Sequence, residues 1–185
     1  MASGFHWAFF ICLTSRVLIS GTMSATDGPD NPGSGCPPGW TQFGSRCFIF
    51  HFTPKTWTDA EVAGGTKAIV THTCIAAGGN LASIHNAEEN VFLKNVVERV
   101  TGRASHTWIG GFDAVTEGKW MWTDGSKFDY ARWSLREPNN LGTEHCIEMN
   151  WGGSYWNDSK CRHRRHFICA KDIPPCAAMS APIIN

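Results

Sequence analysis

The stretch EPNNLGTEHCIEMNWGGSYWNDSKCRHRRHFIC, residues 137–169, says more about the fold than any other part of the chain. It contains two patches of acidic and amide side chains, and each patch leads into a cysteine, Cys146 or Cys161. Short aromatic and apolar runs between and after these cysteines predict β-strands. A bridge between the two cysteines would hold both polar patches close together. The stretch therefore predicts one ligand site mounted on short strands.

The candidate ligands in the two patches carry only oxygen donors. Carboxylate and amide oxygens are the ligands that calcium takes, usually 6–8 of them at about 2.3–2.6 Å. Pro138 makes the first patch rigid and can form a cis peptide bond, which would aim the neighbouring side chains at one point. The sequence therefore predicts a calcium site with five ligand residues: Glu137, Asn139, Glu144, Asn157 and Asp158.

Two helical stretches precede this region. The first begins at Trp57 and finishes at Cys74–Ala77, where the glycines that follow end it. The second spans Ala87–Val100 and has Asn86 as its N-terminal cap. Its apolar residues follow the helical period: Val91, Phe92, Val96, Val97 and Val100.

The remaining segments predict short strands separated by loops rich in Gly, Asn and Asp. Residues Trp40–Phe52 predict a hairpin closed by Cys36 and Cys47. The stretch Asp124–Glu144 is a loop of about 20 residues, a length that in a compact domain is usually functional. Further strands are expected at Leu81–Ile84, Trp108–Gly111, Trp120–Trp122, Cys146–Asn150, Trp156 and His166–Ala170.

The ends of the chain indicate a secreted protein. Residues 1–25 combine an apolar run with small residues near a cleavage point and predict a signal peptide, although no Lys or Arg precedes the run. Residues 26–35 are expected to be a flexible lead-in, 36–171 the domain and 172–185 a tail. The chain has no run of about 18 uncharged apolar residues, so no membrane span is predicted.

The cysteines fit an oxidising compartment. Of eight cysteines, Cys12 leaves with the predicted signal peptide and seven remain. In a secreted protein these are disulfide candidates before they are metal ligands. Six cysteines allow 15 pairings, so spacing leaves the connectivity open. Because seven is odd, one thiol is free or pairs with another chain.

Composition and motifs argue against several classes of function. The formal net charge is zero, which gives no reason to expect a nucleic-acid partner or an anionic membrane. No nucleophile elbow, phosphate-binding loop or catalytic Cys/His pattern is present. Glu137 and Glu144 could form a glycosidase pair, but carboxylates bound to calcium would not be free to act as acid and base. The sequence predicts a binding protein and not an enzyme.

A basic run close to the C-terminus has two interpretations. It contains Lys160, Arg162, Arg164 and Arg165, together with His163 and His166. Binding of heparin or another anionic glycan is one interpretation, and a solvated strand face is the other. The solvated face is favoured, because charge runs are usually exposed to water.

Motifs in a fixed order between Cys36 and Lys171 resemble the C-type lectin-like domain. They are CPPGW at 36–40, GNLA at 79–82, WIG at 108–110, WMWTDG at 120–125, EPN at 137–139, WND at 156–158 and FIC at 167–169. The chain is also similar to fish lectins of the ladderlectin and nattectin kind and to type II antifreeze proteins. The resemblance implies an α+β, C-type lectin-like fold with two helices, small antiparallel sheets and a long loop region, braced by disulfides.

The resemblance also implies how the cysteines and the site work. Three bridges are implied: Cys36–Cys47, Cys74–Cys169 and Cys146–Cys161. Calcium would bind two adjacent sugar hydroxyls, which Glu137, Asn139, Glu144 and Asn157 would also contact. In the family, Glu-Pro-Asn goes with mannose-type sugars and Gln-Pro-Asp with galactose. The resemblance therefore implies a lectin for mannose-type glycans, with a role in innate immune recognition.

A second calcium site of the family would fall on a separate set of residues. The matching positions are Asp113, Glu117, Asn140 and His145. The family ligand at the last position is acidic, and an imidazole is a poor calcium ligand. We therefore expect this auxiliary site to be weakened.

Two features depart from the family. The stretch 62–73 makes the chain unusually long between Trp57 and Cys74, either as a loop bulging from the first helix or as a gene-model anomaly. Cys176 lies after the last implied bridge, where it forms a disulfide-linked homodimer or stays a free thiol. The alternative function is ice binding on the same scaffold, which the intact Glu-Pro-Asn motif disfavours.

Overall fold

The computed structural model describes residues 35–62 and 73–173. The predicted signal peptide, most of the lead-in, residues 63–72 and Cys176 lie outside the described residues. The elements in chain order are β1 (Thr41–Phe43), β2 (Arg46–Lys55), α1 (Trp57–Glu61), β3 (Asn80–Leu81), α2 (Ala87–Thr101), β4 (Thr107–Phe112), β5 (Met121–Trp122), β6 (Cys146–Trp151), β7 (Tyr155–Ser159) and β8 (Arg165–Asp172).

The strands join one mixed sheet in the order β1-β2-β8-β4-β6-β7, while β3 pairs with β8 and β5 with β4. The pairs are antiparallel except β4 and β8, which run parallel. The predicted fold class is confirmed, with one difference from the expected small antiparallel sheets. The last strand enters the middle of the sheet, next to strands that are distant in sequence, and so unites them. Because β8 continues to Asp172, the predicted tail overlaps the sheet by one residue.

Helix α2 has the predicted N-terminal cap, but the face that it buries differs from the one that its apolar periodicity indicates. The Asn86 side chain accepts a hydrogen bond from the Glu89 amide at 2.7 Å, and Gly102 ends the helix at a φ of 74°. Leu93 and Val97 are fully buried, whereas Val91 and Val100 are exposed. Polar residues take the other inward positions, because Glu89 and Asn90 have partners in the core.

Helix α1 is shorter than predicted because the 62–73 stretch interrupts it. It ends at Glu61, but its hydrogen bonding resumes with later residues: the Cys74 amide donates to the Ala60 carbonyl at 2.9 Å and the Ile75 amide to the Glu61 carbonyl at 3.1 Å. In an uninterrupted helix these carbonyls would accept from residues four positions later. The helical hydrogen bonding that stops at Glu61 is therefore completed by residues from Cys74 onward.

Three disulfides brace the fold with the pairing that the resemblance implies. Cys36–Cys47 closes the β1–β2 hairpin, Cys74–Cys169 joins the segment after α1 to β8, and Cys146–Cys161 joins β6 to the segment after β7. Their Cα–Cα distances are 5.5, 5.1 and 5.3 Å, within the usual range. The third bridge ties the start of β6, which follows the first polar patch, to the segment that follows the second patch on β7.

Candidate functional site

The long loop between β5 and β6 is fastened to β7 at its base. The Trp156 amide donates to the Arg132 carbonyl at 2.7 Å, and the Ser134 amide donates to the Trp156 carbonyl at 2.9 Å. These bonds form an isolated parallel bridge between Trp133 and Trp156. Because Trp156 immediately precedes Asn157 and Asp158, the anchor brings the first polar patch beside the second.

The buried carboxylate of Asp158 holds the first patch in place. Its Oδ1 accepts a hydrogen bond from the Asn139 amide at 3.0 Å, and its Oδ2 accepts one from the Asn140 amide at 2.8 Å. Within the first patch, the Glu137–Pro138 peptide bond is cis. Asp158 is therefore both a candidate ligand and the residue that shapes the loop around the site.

Glu137 lies in an electrostatically unfavourable position for a carboxylate. Its Oε2 is buried and has no hydrogen-bond partner among the described residues. The pKa of Glu137 is raised, first by desolvation and then by contact with the Asp158 carboxylate, and Asn139 opposes this shift. A cation bound between the two carboxylates would satisfy the free oxygen and offset their repulsion.

Asn157 is supported by a residue that sequence reasoning missed. Its Nδ2 donates to Glu148 Oε1 at 3.0 Å, which leaves the amide oxygen as an acceptor. Glu148 is fully buried on β6 and also accepts from Arg165 Nε at 2.6 Å. The alternation of β6 was the available signal, because it places Glu148 on the same face as Cys146, opposite Ile147.

The two remaining predicted ligands are less closely engaged. The Asn139 Oδ1 accepts from the Leu141 amide at 2.9 Å, so this side chain turns back on its own loop. Glu144 lies half-buried just before β6, and its side chain has no hydrogen bond or ion pair to another described residue. The structure thus brings Glu137, Asn139 and Asp158 into mutual contact and places Asn157 next to them on β7, with Glu144 at the start of β6.

The auxiliary positions form a second cluster that contains a nitrogen ligand. One ligand atom from each of Asp113, Glu117 and His145 lies within 4.8 Å of the others. His145 Nδ1 is 3.0 Å from Asp113 Oδ1 and 3.5 Å from Glu117 Oε2. The pKa of Glu117 is raised by desolvation and by the Asp113 carboxylate. The backbone amide of Asn140, the fourth auxiliary position, is held by Asp158, as described above.

The two clusters fit calcium to different degrees. The first offers carboxylate and amide oxygens, a buried oxygen without a partner and crowded negative charge, all of which suit a hard divalent cation. In the second, the imidazole already forms a short contact with the buried Asp113 carboxylate. The donor set therefore fits calcium at the first cluster better than at the second.

A sheet braced by three disulfides, with an acidic and amide loop fastened to it, defines a lectin-type binding domain. Residues 66–171 match the family described as the lectin C-type domain, and the chain belongs to this family. Among the described residues, no helix is long and apolar enough to cross a bilayer.

Fish proteins are among the similar sequences. The chain is 43% identical over 176 residues to a protein of Thalassophryne nattereri named galactose-specific lectin nattectin, covering 94% of this chain and 100% of that one. It is 49% identical over 128 residues to ladderlectin of Oncorhynchus mykiss, covering 68% and 62% of the two chains. It is 35% identical over 150 residues to a type-2 ice-structuring protein of Osmerus mordax, covering 80% and 78%.

Solved structures with the same fold include proteins named as antifreeze proteins and proteins named as carbohydrate-recognition domains. The herring type II antifreeze protein superposes with a TM-score of 0.64 at 38% identity, covering 74% of this chain and 98% of that one. The carbohydrate-recognition domain of the mouse scavenger receptor C-type lectin gives a TM-score of 0.62 at 31% identity, covering 74% and 96%. Membership of the family therefore does not specify which ligand this chain binds.

Proposed function

We propose that the protein is a secreted, calcium-dependent lectin that binds mannose-type glycans. The observation that supports this most directly is the buried, unpartnered Oε2 of Glu137 beside the Asp158 carboxylate. A carboxylate removed from water is costly unless it is protonated, paired or bound to a metal, and a cation between Glu137 and Asp158 would stabilise both carboxylates. The site would be held by Glu137, Asn139, Glu144, Asn157 and Asp158.

Bound calcium would act as a Lewis acid that coordinates two adjacent hydroxyls of the sugar. The protein's own residues prepare the surroundings. Asp158 fixes the backbone of the Glu-Pro-Asn loop, and Glu148 fixes the amide of Asn157. Because Glu137 can only accept hydrogen bonds and Asn139 can also donate, the two ends of the loop would contact the hydroxyls with opposite polarity.

The order of the Glu137 and Asn139 side chains supports a preference for mannose-type sugars, whereas the name of one similar protein indicates galactose. Glu137 precedes Asn139 in this chain, the order that goes with mannose in the family. The similar protein of Thalassophryne nattereri is named as galactose-specific. The sugar preference must therefore be measured directly.

A column experiment tests both parts of the proposal. The secreted protein is expected to be retained on mannose-agarose with calcium and released by a chelator. Free mannose should elute it at a concentration about tenfold or more below that of galactose, a difference of about 1.4 kcal/mol. Elution by galactose at the lower concentration would overturn the mannose preference alone. Lack of retention on both mannose and galactose resins would overturn the lectin proposal.

Ice binding is the second candidate function, because type-2 ice-structuring proteins and type II antifreeze structures are among the similar chains. A freezing assay separates the two functions. A lectin of the proposed kind should show no thermal hysteresis with or without calcium. Hysteresis in a protein that both sugar resins fail to retain would favour ice binding.

We also propose that Cys176, which lies outside the described residues, links two chains. The six described cysteines are used in the three bridges, which leaves none of them to pair with it. Electrophoresis of the secreted protein should show a dimer without reductant and a monomer with it. The Cys176→Ser variant should be monomeric in both cases, and a wild-type monomer without reductant would exclude the dimer.

The proposal includes secretion, a role in innate immune glycan recognition and a function in binding rather than catalysis. The predicted signal peptide and the three disulfides support secretion. Similarity to proteins named lectins supports binding. Glycans on microbial surfaces are the proposed partners, with no nucleic acid and no membrane span.

A further inference from the structure

A basic groove opens at the start of β4 and β8. Its volume is about 420 Å³, and its charged lining comes from three arginines and two histidines: Arg103, His106, Arg164, Arg165 and His166. Two of these residues follow α2, and three belong to the basic run that precedes and begins β8. The fold thus joins two basic segments that are about 60 residues apart in sequence and forms a concave surface from them.

Several of the basic side chains are already held in place. Arg164 donates from one guanidinium nitrogen to the Pro54 carbonyl at 2.7 Å, and His166 donates from Nδ1 to the Phe52 carbonyl at 2.7 Å. Arg165 donates to Glu148 at 2.6 Å. A guanidinium has five N–H donors, so Arg164 keeps most of them for a ligand. Side chains fixed in this way lose less entropy when an anion binds.

The positive charge of the groove is only partly balanced. The carboxylate in contact with Arg165 is Glu148, which is fully buried and also engaged with Asn157. Neither Arg103 nor Arg164 has a carboxylate partner among the described residues, and both side chains are exposed. The groove therefore presents at least two uncompensated guanidinium groups to solvent.

The other residues of the basic run, Lys160, Arg162 and His163, do not line the groove. His163 contacts the Ser159 hydroxyl at 3.1 Å, and Lys160 lies beside Gly142 of the long loop. Arg162 is exposed and does not line the groove. The run is therefore not one uniform solvated face, because the fold assigns only its last part to the groove.

Glu148 links the groove to the candidate calcium site. It accepts hydrogen bonds from Arg165 of the groove at 2.6 Å and from Asn157 of the site at 3.0 Å. Arg164 bonds instead to the Pro54 carbonyl, and among the described residues neither Arg103 nor Arg164 has a hydrogen bond or ion pair with a residue of the calcium site. A ligand held by these two arginines would therefore not need bound calcium.

We propose that this groove binds the sulfate groups of a sulfated glycan. The planar fork of arginine matches the oxygens of a tetrahedral oxyanion, and the volume falls in the range of about 300–1,000 Å³ that is usual for small-ligand sites. Nucleic acid would require a longer basic track along its backbone, and the chain has no net positive charge. A sulfated sugar unit is small and anionic, so it fits both the volume of the groove and its positive charge.

Heparin affinity in the presence of chelator tests the proposal independently of the calcium-dependent function. The wild-type protein should bind heparin equally well with calcium or with chelator, and should not bind desulfated heparin. The double variant Arg103→Gln/Arg164→Gln should lose about tenfold in affinity for each arginine, since each removes a charge-assisted hydrogen bond. The matched control Arg162→Gln should bind like the wild type. Arg165 is left intact because it supports Glu148 and, through it, Asn157.

Several outcomes would overturn the sulfate groove. These are no heparin binding by the wild type near physiological salt, an equal loss in Arg162→Gln, or complete dependence on calcium. Equal or tighter binding of single-stranded DNA would assign the surface to nucleic acid instead. An unchanged melting temperature and unchanged mannose-agarose retention would show that the double variant is folded. Failure of sugar retention in the wild type would leave the heparin result unaffected.

Discussion

Asp158→Asn is expected to remove calcium-dependent retention on a sugar resin and to lower calcium affinity by about a hundredfold or more. Both carboxylate oxygens of Asp158 accept backbone hydrogen bonds from the loop, at Asn139 and Asn140. An amide has only one acceptor oxygen, so its NH2 group would face one of these N–H donors. Each buried charge-assisted bond lost costs about 1.5–3 kcal/mol. The variant also removes one negative charge from the ion's surroundings.

Calorimetric titration with calcium and chelator-sensitive retention measure this effect. Glu98→Gln is the matched control, because it makes the same kind of carboxylate-to-amide change on the exposed face of α2, where Glu98 pairs with Lys94. The control should bind calcium and sugar like the wild type. Wild-type calcium affinity in Asp158→Asn would contradict the assignment of Asp158 to the site.

Trp156→Ala is expected to destabilise the domain by about 3–5 kcal/mol, the usual cost of deleting a large aromatic side chain from a core. Trp156 is fully buried, and its ring meets those of Trp122, Tyr130 and Trp133 at centroid distances of 5.6 to 5.9 Å. Its Nε1 donates to the Asn90 Oδ1 at 2.7 Å. The substitution therefore creates a cavity and leaves a buried amide without its partner.

Urea unfolding of the oxidised protein measures the change in the free energy of unfolding. Trp156→Phe retains much of the packing but not the hydrogen bond, so its loss should be intermediate. Trp151→Ala is the control, because Trp151 lies five residues earlier and is 36% exposed. Its effect should stay below about 1 kcal/mol. Equal losses in Trp156→Ala and Trp151→Ala would contradict the central role of Trp156.

The two variants separate the site from its support. Trp156 anchors the long loop through its backbone, which alanine retains, while its side chain fills the core beneath the loop. Asp158 acts on the loop through its own side chain. We therefore expect Trp156→Ala to lower stability chiefly and Asp158→Asn to lower ligand binding chiefly.

Local sequence patterns predicted most elements of this fold. The N-terminal cap of α2 at Asn86, the β1–β2 hairpin and the long loop follow from residues close together in the chain. Helix α1 ends at Glu61, directly before the 62–73 stretch that the sequence pattern marks as an insertion, and not at Cys74–Ala77, where the helical stretch was expected to finish. The exposure of Val91 and Val100 differs from a simple periodic face, since Glu89 and Asn90 find partners on β2 and β7.

In the candidate site, too, some features could be predicted from the sequence and others appear only in the tertiary structure. The oxygen-bearing residue types and their order could be read from the chain, because the chemistry of a ligand belongs to its side chain. The supporting contacts could not: Glu148 behind Asn157 depends on the register of β6 against β7, and the unpartnered Glu137 oxygen depends on the folding of the loop. These contacts join residues through strand pairing, which no local pattern specifies.

Sequence alone thus determined which oxygen-bearing side chains are candidate ligands, the resemblance to a family and most element types, since each depends on side-chain identity or short-range spacing. Only the tertiary structure decided which oxygens lack partners, how Asp158 holds the Glu-Pro-Asn loop and which arginines share a groove. The physical reason is that electrostatic interactions, hydrogen bonds and burial depend on distances in space and not on separation along the chain. For residues 137–169, those distances are set by the antiparallel pairing of β6 with β7 and by the parallel pairing of β8 with β4, a strand from earlier in the chain.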